Sequence, residues 1–369
     1  MGNYMLQALL YFKFLLLFVF LFSTLWGCAA PRARPDYRFL WPPLPATPKI
    51  EWIGSYGNYT DFNRYRKSFW ARIAGGPASL SLIRPWGIAA SQYDKVYVGD
   101  TQRSQVLVFD MVKQDVYVMG AGRYANLFSA LMGVAVDSAG NIYASDSQKN
   151  QIYVFTKDEK PLINIGDDTL LSWPVGIVVD DERNRLYVAN NHHHNIAVFD
   201  LSGKHLFNVG RRGKMPGYLN FPTDVDVDSK GNIVVADSMN ARVQIFSPDG
   251  QYLKHFGKRG DGISDFEIIK GIAVDRATDN IYVTDGKGND FKIFNSEGES
   301  LLSIGGMHSV KRRRDEAPGG FLLPQDIEID KSGRIYVVDS LNARFQVFKI
   351  IDDQWLKEKP LKDFGTKIE

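Results

Sequence analysis

Residues 224–246 read DVDVDSKGNIVVADSMNARVQIF, and residues 326–348 read DIEIDKSGRIYVVDSLNARFQVF. In the first stretch Val225 and Val227 alternate with Asp224 and Asp226, the period-two pattern of a strand with one buried face. The turn Ser229-Lys230-Gly231-Asn232 follows, and Gly231 permits the positive φ that a bulged hairpin needs. Ile233, Val234 and Val235 form a second strand. Val243, Ile245 and Phe246 belong to a third. No helical periodicity interrupts the sequence.

Four more segments align with these two, beginning at Gly87, Gly133, Gly176 and Gly271, and successive starts lie 43 to 55 residues apart. In the first five units an apolar residue stands ten places after the closing Phe and is followed by Gly: Met119, Ile165, Val209, Phe256 and Ile304. Ten residues make room for one turn and a fourth strand. A four-stranded sheet cannot bury both faces alone, but six arranged radially cover one another and leave only short edges. This pattern resembles the NHL repeat over roughly residues 84–349. The resemblance implies an all-β, six-bladed β-propeller of four-stranded antiparallel blades, and says little about activity. Asp100, Asp146, Asp237, Asp285 and Asp339 end the second strands, with Asn190 in the third unit. Their recurrence in every unit reads as a fold device, a turn cap made by side-chain-to-backbone hydrogen bonds.

Ahead of the repeats, residues 14–22 read FLLLFVFLF after Lys13, and the apolar run ends in Leu25-Trp26-Gly27-Cys28. A short apolar core followed by a small residue is a secretory signal. With the only cysteine of the chain next in line, it resembles a bacterial lipobox. That resemblance implies lipidation at Cys28 and, with Ala29-Ala30 following, sorting to the periplasmic side of the outer membrane or the cell surface. The other reading is an uncleaved anchor running from Met5 across Lys13. Pro31, Pro35, Pro42, Pro43, Pro45 and Pro48 then favour an extended tether. The expected organisation is a signal peptide over 1–27, a lipidated cysteine and tether over 28–49, and the propeller over 50–369. A short amphipathic helix is expected over about 61–73, started by Thr60 or Asp61. It carries Phe62, Tyr65, Phe69 and Ile73 on one face, either docked on the propeller or lying at a lipid surface.

The chain has 369 residues, and its 44 Lys and Arg nearly balance its 42 Asp and Glu. No nucleic-acid partner is therefore expected, since phosphate recognition needs a cationic excess. The balance nonetheless hides a basic rim. Arg211, Arg212, Lys214, Lys258, Arg259, Lys311, Arg312, Arg313 and Arg314 lie in inter-blade loops, which emerge on one face of a propeller. They are the candidate contacts for an envelope protein or surface polyanion. On the innermost strands of units four and six, Asp224, Asp226, Asp326 and Glu328 are candidate oxygen ligands for a channel cation. The alternative is a polar channel whose carboxylates pair with local Lys and Arg.

Some six-bladed relatives are lyases with metal-binding His just before the first strands of several blades. The matching positions here are Trp86, Met132, Val175, Thr223, Lys270 and Gln325, none of them His. The side chains of the tract His192-His193-His194 are expected to diverge. The sequence therefore reads as a non-catalytic, membrane-anchored binding or assembly propeller without a required cofactor. A metal-dependent lyase or lactonase-type hydrolase using a channel calcium is the alternative. Ile50-Glu51-Trp52-Ile53-Gly54 resembles the fourth strand of unit two, Leu162–Gly166, so residues 50–54 are expected to complete blade six. A C-terminal strand around Leu361–Phe364 is the rival.

Overall fold

The structure, a computed structural model, describes residues 38–62, 80–124, 126–310 and 317–361. Residues Phe39–Lys359 form one compact unit. This unit is a ring of six antiparallel sheets. Blade one comprises Pro85–Ala90, Lys95–Asp100, Gln105–Asp110 and Asp115–Val118, in that order from the axis outward. Blades two to five repeat the arrangement, with innermost strands Leu131–Val136, Pro174–Asp180, Asp224–Val227 and Ile269–Asp275. Blade six has its innermost strand at Pro324–Ile329 and continues through Arg334–Asp339 and Arg344–Ile350.

The blades are glued by the residues that the repeat keeps. The closing Phe of every unit, Phe109, Phe155, Phe199, Phe246, Phe294 and Phe348, is at most 1% exposed. Between blades six and one, Tyr336, Val338, Phe345 and Val347 pack with Ile88, Val98, Leu107 and Phe109. Each such buried side chain is worth roughly 1.5–3 kcal/mol of apolar transfer, so every seam contributes strongly. The acidic residues that end the second strands act as the sequence indicates. Asp100 accepts from the N–H groups of Ile83 and Arg84 in the incoming loop and from those of Gln102 and Arg103 in its own turn. Asp146 and Asp285 repeat the four-donor pattern.

Blade six closes the ring through the N-terminal strand Ile50–Tyr56, which pairs with Arg344–Ile350. Trp52 sits opposite Phe348, and its indole N–H donates to Gln346 at 3.0 Å. The expectation for residues 50–54 holds. Pairing also reaches further upstream than the Pro content implies: Leu40–Trp41 adds a fifth strand, with Trp41 opposite Ile50 and packed edge-on against Phe348. After blade six the chain forms a short helix, Asp353–Glu358, capped by Asp352, and the Trp355 indole donates to Glu51 at 2.6 Å. Residues 362–364 lie outside the described residues. A 3-10 turn forms at Tyr59–Asp61, and residues 63–73, which hold most of the expected helix, lie outside the described residues. Asn58 caps the turn. The Asn58 Oδ1 accepts from the Thr60 N–H at 2.7 Å, and Asp61 returns to the Asn58 N–H at 3.0 Å, closing a capping box. Phe62 packs on Tyr56 and Phe109.

If Ile50–Tyr56 carries the closure, deleting residues 29–56 is expected to lower the melting temperature on the order of 10 °C, at about 2–4 °C per kcal/mol for a large domain. Deleting residues 29–48 removes only the edge pair and is expected to cost far less. Equal melting temperatures for the two truncations would contradict closure through this strand.

Candidate functional site

The innermost strand of each blade pairs with a second strand on one side only. Its other edge faces the propeller axis with unpaired N–H groups. In blades four and six the sequence places acid on this edge, and the structure shows what the acid does. Asp224 accepts from the Ile272 N–H of blade five at 2.8 Å, and Asp226 accepts from the Val274 N–H at 2.7 Å. Asp326 accepts from the Ile88 N–H of blade one at 2.8 Å. The second oxygen of each accepts the N–H of the following residue in its own strand, Val225, Val227 or Ile327. The three carboxylates are thus latches from blade four to five and from blade six to one. Close approach across the seams needs glycine: a Cβ on Gly176 would lie 1.9 Å from Asp224 Oδ1, and one on Gly271 would lie 2.7 Å from the Asp326 Cα.

The four acidic side chains meet around the axis. Asp224 and Asp326 both line the axis and interact electrostatically with each other. Burial pushes Asp224 well above the usual carboxylate range, and the neighbouring Asp326 adds to the shift. Burial likewise raises Asp226 to about 6 and Asp326 to about 7. Glu328 is raised well above its ordinary value by burial and then by Asp226 and Asp326. Further along the axis the Arg276 guanidinium holds Asp226 and Glu328 down in part, and it lies 4.0 Å from the fully buried Asp180. Arg183 bonds Asp180 at 3.0 Å. Among the described residues no group of three or more His, Cys, Asp or Glu is arranged to hold a metal ion.

At the loop end of the axis is a pocket of about 260 Å³ of empty space, part of it open solvent. Its lining includes Trp86, Thr223, Lys270 and Gln325 above Asp224 and Asp326. Lys270 lies 5.8 Å from the Trp86 ring centre, and burial holds its amine below the ordinary lysine range. Sequence comparison picked out these positions only as lacking His. The structure gathers them into one mouth, which six separate units cannot show until the ring is closed.

The histidine tract diverges as expected. His192 stacks on Trp173 at 5.2 Å, and His193 Nδ1 lies 3.1 Å from Asn190. His194 is buried and accepts at Nδ1 from the Phe221 N–H. Arg242 and Arg344, absent from the candidate set, are buried ties: each donates to the turn-capping Asp of its blade, at 2.9 and 2.7 Å, and to carbonyls of the incoming loop. The shared N-A-R-x-Q of units four and six was the signal for them.

The inter-blade loops and the turns after second strands lie at one end of the ring, because antiparallel strands alternate direction. Arg211, Arg212, Lys214, Lys258 and Arg259 are exposed there, and none of the five is in an ion pair among the described residues. Arg211 rests on Tyr218, 4.4 Å from its ring centre, and Arg259 donates to the carbonyls of Glu267 and Met239. Lys311–Arg314 lie outside the described residues, as does Cys28. The loop end also exposes Asp167, Asp168 and Asp261, and the opposite end is mixed, exposing Asp158, Asp181, Glu182, Asp249, Glu297 and Glu299 together with Lys113, Lys157, Lys160, Lys204, Lys230 and Lys331.

Comparison with known proteins agrees with this architecture. Residues 171–199 match the NHL repeat, and residues 227–307 match a family described as a 6-bladed beta-propeller. The chain is a six-bladed propeller, with one segment that matches the NHL repeat. No curated protein matches it in sequence. Among solved structures it is similar to a Bacteroides thetaiotaomicron protein of unknown function, at 20% identity and TM-score 0.59, covering 73% of this chain and 70% of that one. It is also similar to a gluconolactonase from Xanthomonas campestris, at 16% identity and TM-score 0.56, covering 85% and 100%. A streptogramin B lyase matches at 13% identity and TM-score 0.53, covering 73% and 94%. At these identities the likeness is one of fold.

The raised carboxyl groups make stability pH-dependent with a definite sign. Their folded pKa values, about 6 for Asp226 and about 7 for Asp326, exceed the unfolded value of about 3.9. The folded ring therefore binds more protons between these values, and its extra stability, complete below about pH 4, is lost as pH rises through 6 and 7. Asp326→Asn keeps an acceptor oxygen and removes the titration, so its stability curve is expected to be flatter above pH 5. Asp326→Ala is expected to cost about 1–3 kcal/mol throughout, because the buried Ile88 N–H loses its acceptor. Denaturant unfolding across pH checks both, and a wild-type slope retained in the Asn variant would contradict the assignment.

Proposed function

We propose that this protein is a non-catalytic binding propeller, held in the cell envelope by lipid on Cys28, which presents its basic loop face to an acidic partner. The observation that carries the reading is a group of exposed cations, Arg211, Arg212, Lys214, Lys258 and Arg259, standing at the loop end outside any described ion pair. Such a group attracts an approaching polyanion and raises its encounter rate, in a way that salt suppresses. The channel acids support the same reading, since three of the four hold backbone N–H groups across blade seams.

The second reading is hydrolysis or elimination at the axial mouth. It is favoured by the proximity of Lys270, Gln325 and the Asp224–Asp326 pair, and by lyases and a lactonase among proteins of the same fold. A channel cation, calcium in particular, would belong to that reading.

Retention of the detergent-solubilised full chain on immobilised polyaspartate distinguishes them. Replacing Arg211, Arg212, Lys214 and Lys258 with Ser is expected to move elution to markedly lower salt while leaving the melting temperature nearly unchanged. Elution at the wild-type salt concentration would remove the basic face. Turnover of a lactone that Asp326→Asn abolishes would replace binding with the second reading.

A further inference from the structure

The two described basic loops are built alike. In the first, the Leu219 N–H donates to the Arg211 carbonyl at 2.8 Å, and the Gly213 N–H donates to the Leu219 carbonyl at 2.9 Å. In the second, the Phe266 N–H donates to the Lys258 carbonyl at 2.9 Å, and the Gly260 N–H donates to the Phe266 carbonyl at 3.1 Å. Leu219 and Phe266 are wholly buried plugs. Each closure fixes a stem bearing cations and a tip bearing an exposed apolar side chain, Met215 at 67% and Ile263 at 66%, the second tip also carrying the exposed Asp261. Met239 and Leu341, each about half exposed, project from the turns after the second strands of blades four and six, on the same face.

We propose that this face seats on the headgroup layer of an anionic lipid bilayer, with the cations on lipid phosphates and Met215, Ile263 and Met239 entering the boundary below them. The inference rests on the basic-face reading and names its partner. Interfacial binding needs this combination, since attraction to anionic lipid brings the surface close and shallow apolar insertion holds it there. Chain direction agrees. The strand Ile50–Tyr56 runs toward the loop end, Leu40–Trp41 runs antiparallel to it, and the Phe39 carbonyl accepts from Trp52. Traced back toward the N-terminus, the chain therefore heads toward the loop face.

The test uses the full chain reconstituted in vesicles of phosphatidylcholine alone or mixed with phosphatidylglycerol, read by deuterium exchange. Amides of residues 211–217 and 259–265 are expected to exchange several-fold more slowly in the anionic vesicles, and those of 156–160 and 181–184 equally in both. Met215→Ser with Ile263→Ser is expected to abolish the protection by vesicles but not that by soluble polyaspartate added to neutral vesicles. Equal exchange in the two vesicle types, or protection that survives the double change, overturns the bilayer inference. If polyaspartate still protects the face, the basic-face reading stands and the partner is a soluble polyanion or acidic protein. If polyaspartate fails as well, both readings fall.

Discussion

Everything in this molecule depends on what becomes of the inner edge of six short strands. A sheet edge with unpaired N–H groups is costly when buried and adhesive when exposed. The propeller turns all six edges inward and brings them close enough that one blade can serve the next. Glycine makes the approach possible at Gly176 and Gly271, where a side chain would collide with the neighbouring strand. Carboxylate completes it at Asp224, Asp226 and Asp326, whose oxygens span the seams. The cost is a set of acidic groups crowded around the axis, whose pKa values burial raises. Arg276 and Arg183 offset this at one end of the channel. The apolar seams, filled by the recurrent Phe of each unit, then supply most of the cohesion.

Ring closure also explains how the two chain ends are used. A propeller made only of consecutive blades would leave blade six short of a strand. Here an N-terminal strand fills that place, pinned by Trp52 on Gln346 and by Glu51 on Trp355. The proposed lipid anchor and the ring are therefore linked through the blade where the fold closes. The loop end is left as a surface whose charge is not spent on folding, because the turn caps and the buried Arg242 and Arg344 serve the fold from beneath it.

Much of this was legible before any coordinates. Strand alternation, the recurring Phe and the turn-capping Asp are local and repeated, so six imperfect copies reinforce one another. The likeness of residues 50–54 to a fourth strand was equally visible. The sheet pairing of Leu40–Trp41 was obscured by prolines flanking a two-residue strand. The pairing of each channel acid depended on which N–H of the next blade faced it, which is a property of the closed ring. The axial mouth with Lys270 and Gln325 was invisible for the same reason, since its lining comes from all six blades.

The central claim is that the channel acids are structural acceptors joining neighbouring blades. Residue-resolved amide hydrogen exchange at Ile88 and Ile272 tests it most directly, because both N–H groups point to the free inner edge and have a carboxylate as their partner. The account predicts that both amides exchange as slowly as those in the middle of the sheets. It also predicts that Asp326→Ala releases Ile88 alone, while Asp224→Ala releases Ile272. Rapid exchange of Ile88 and Ile272 in the unaltered protein, at the rate of solvent-exposed amides, would contradict it.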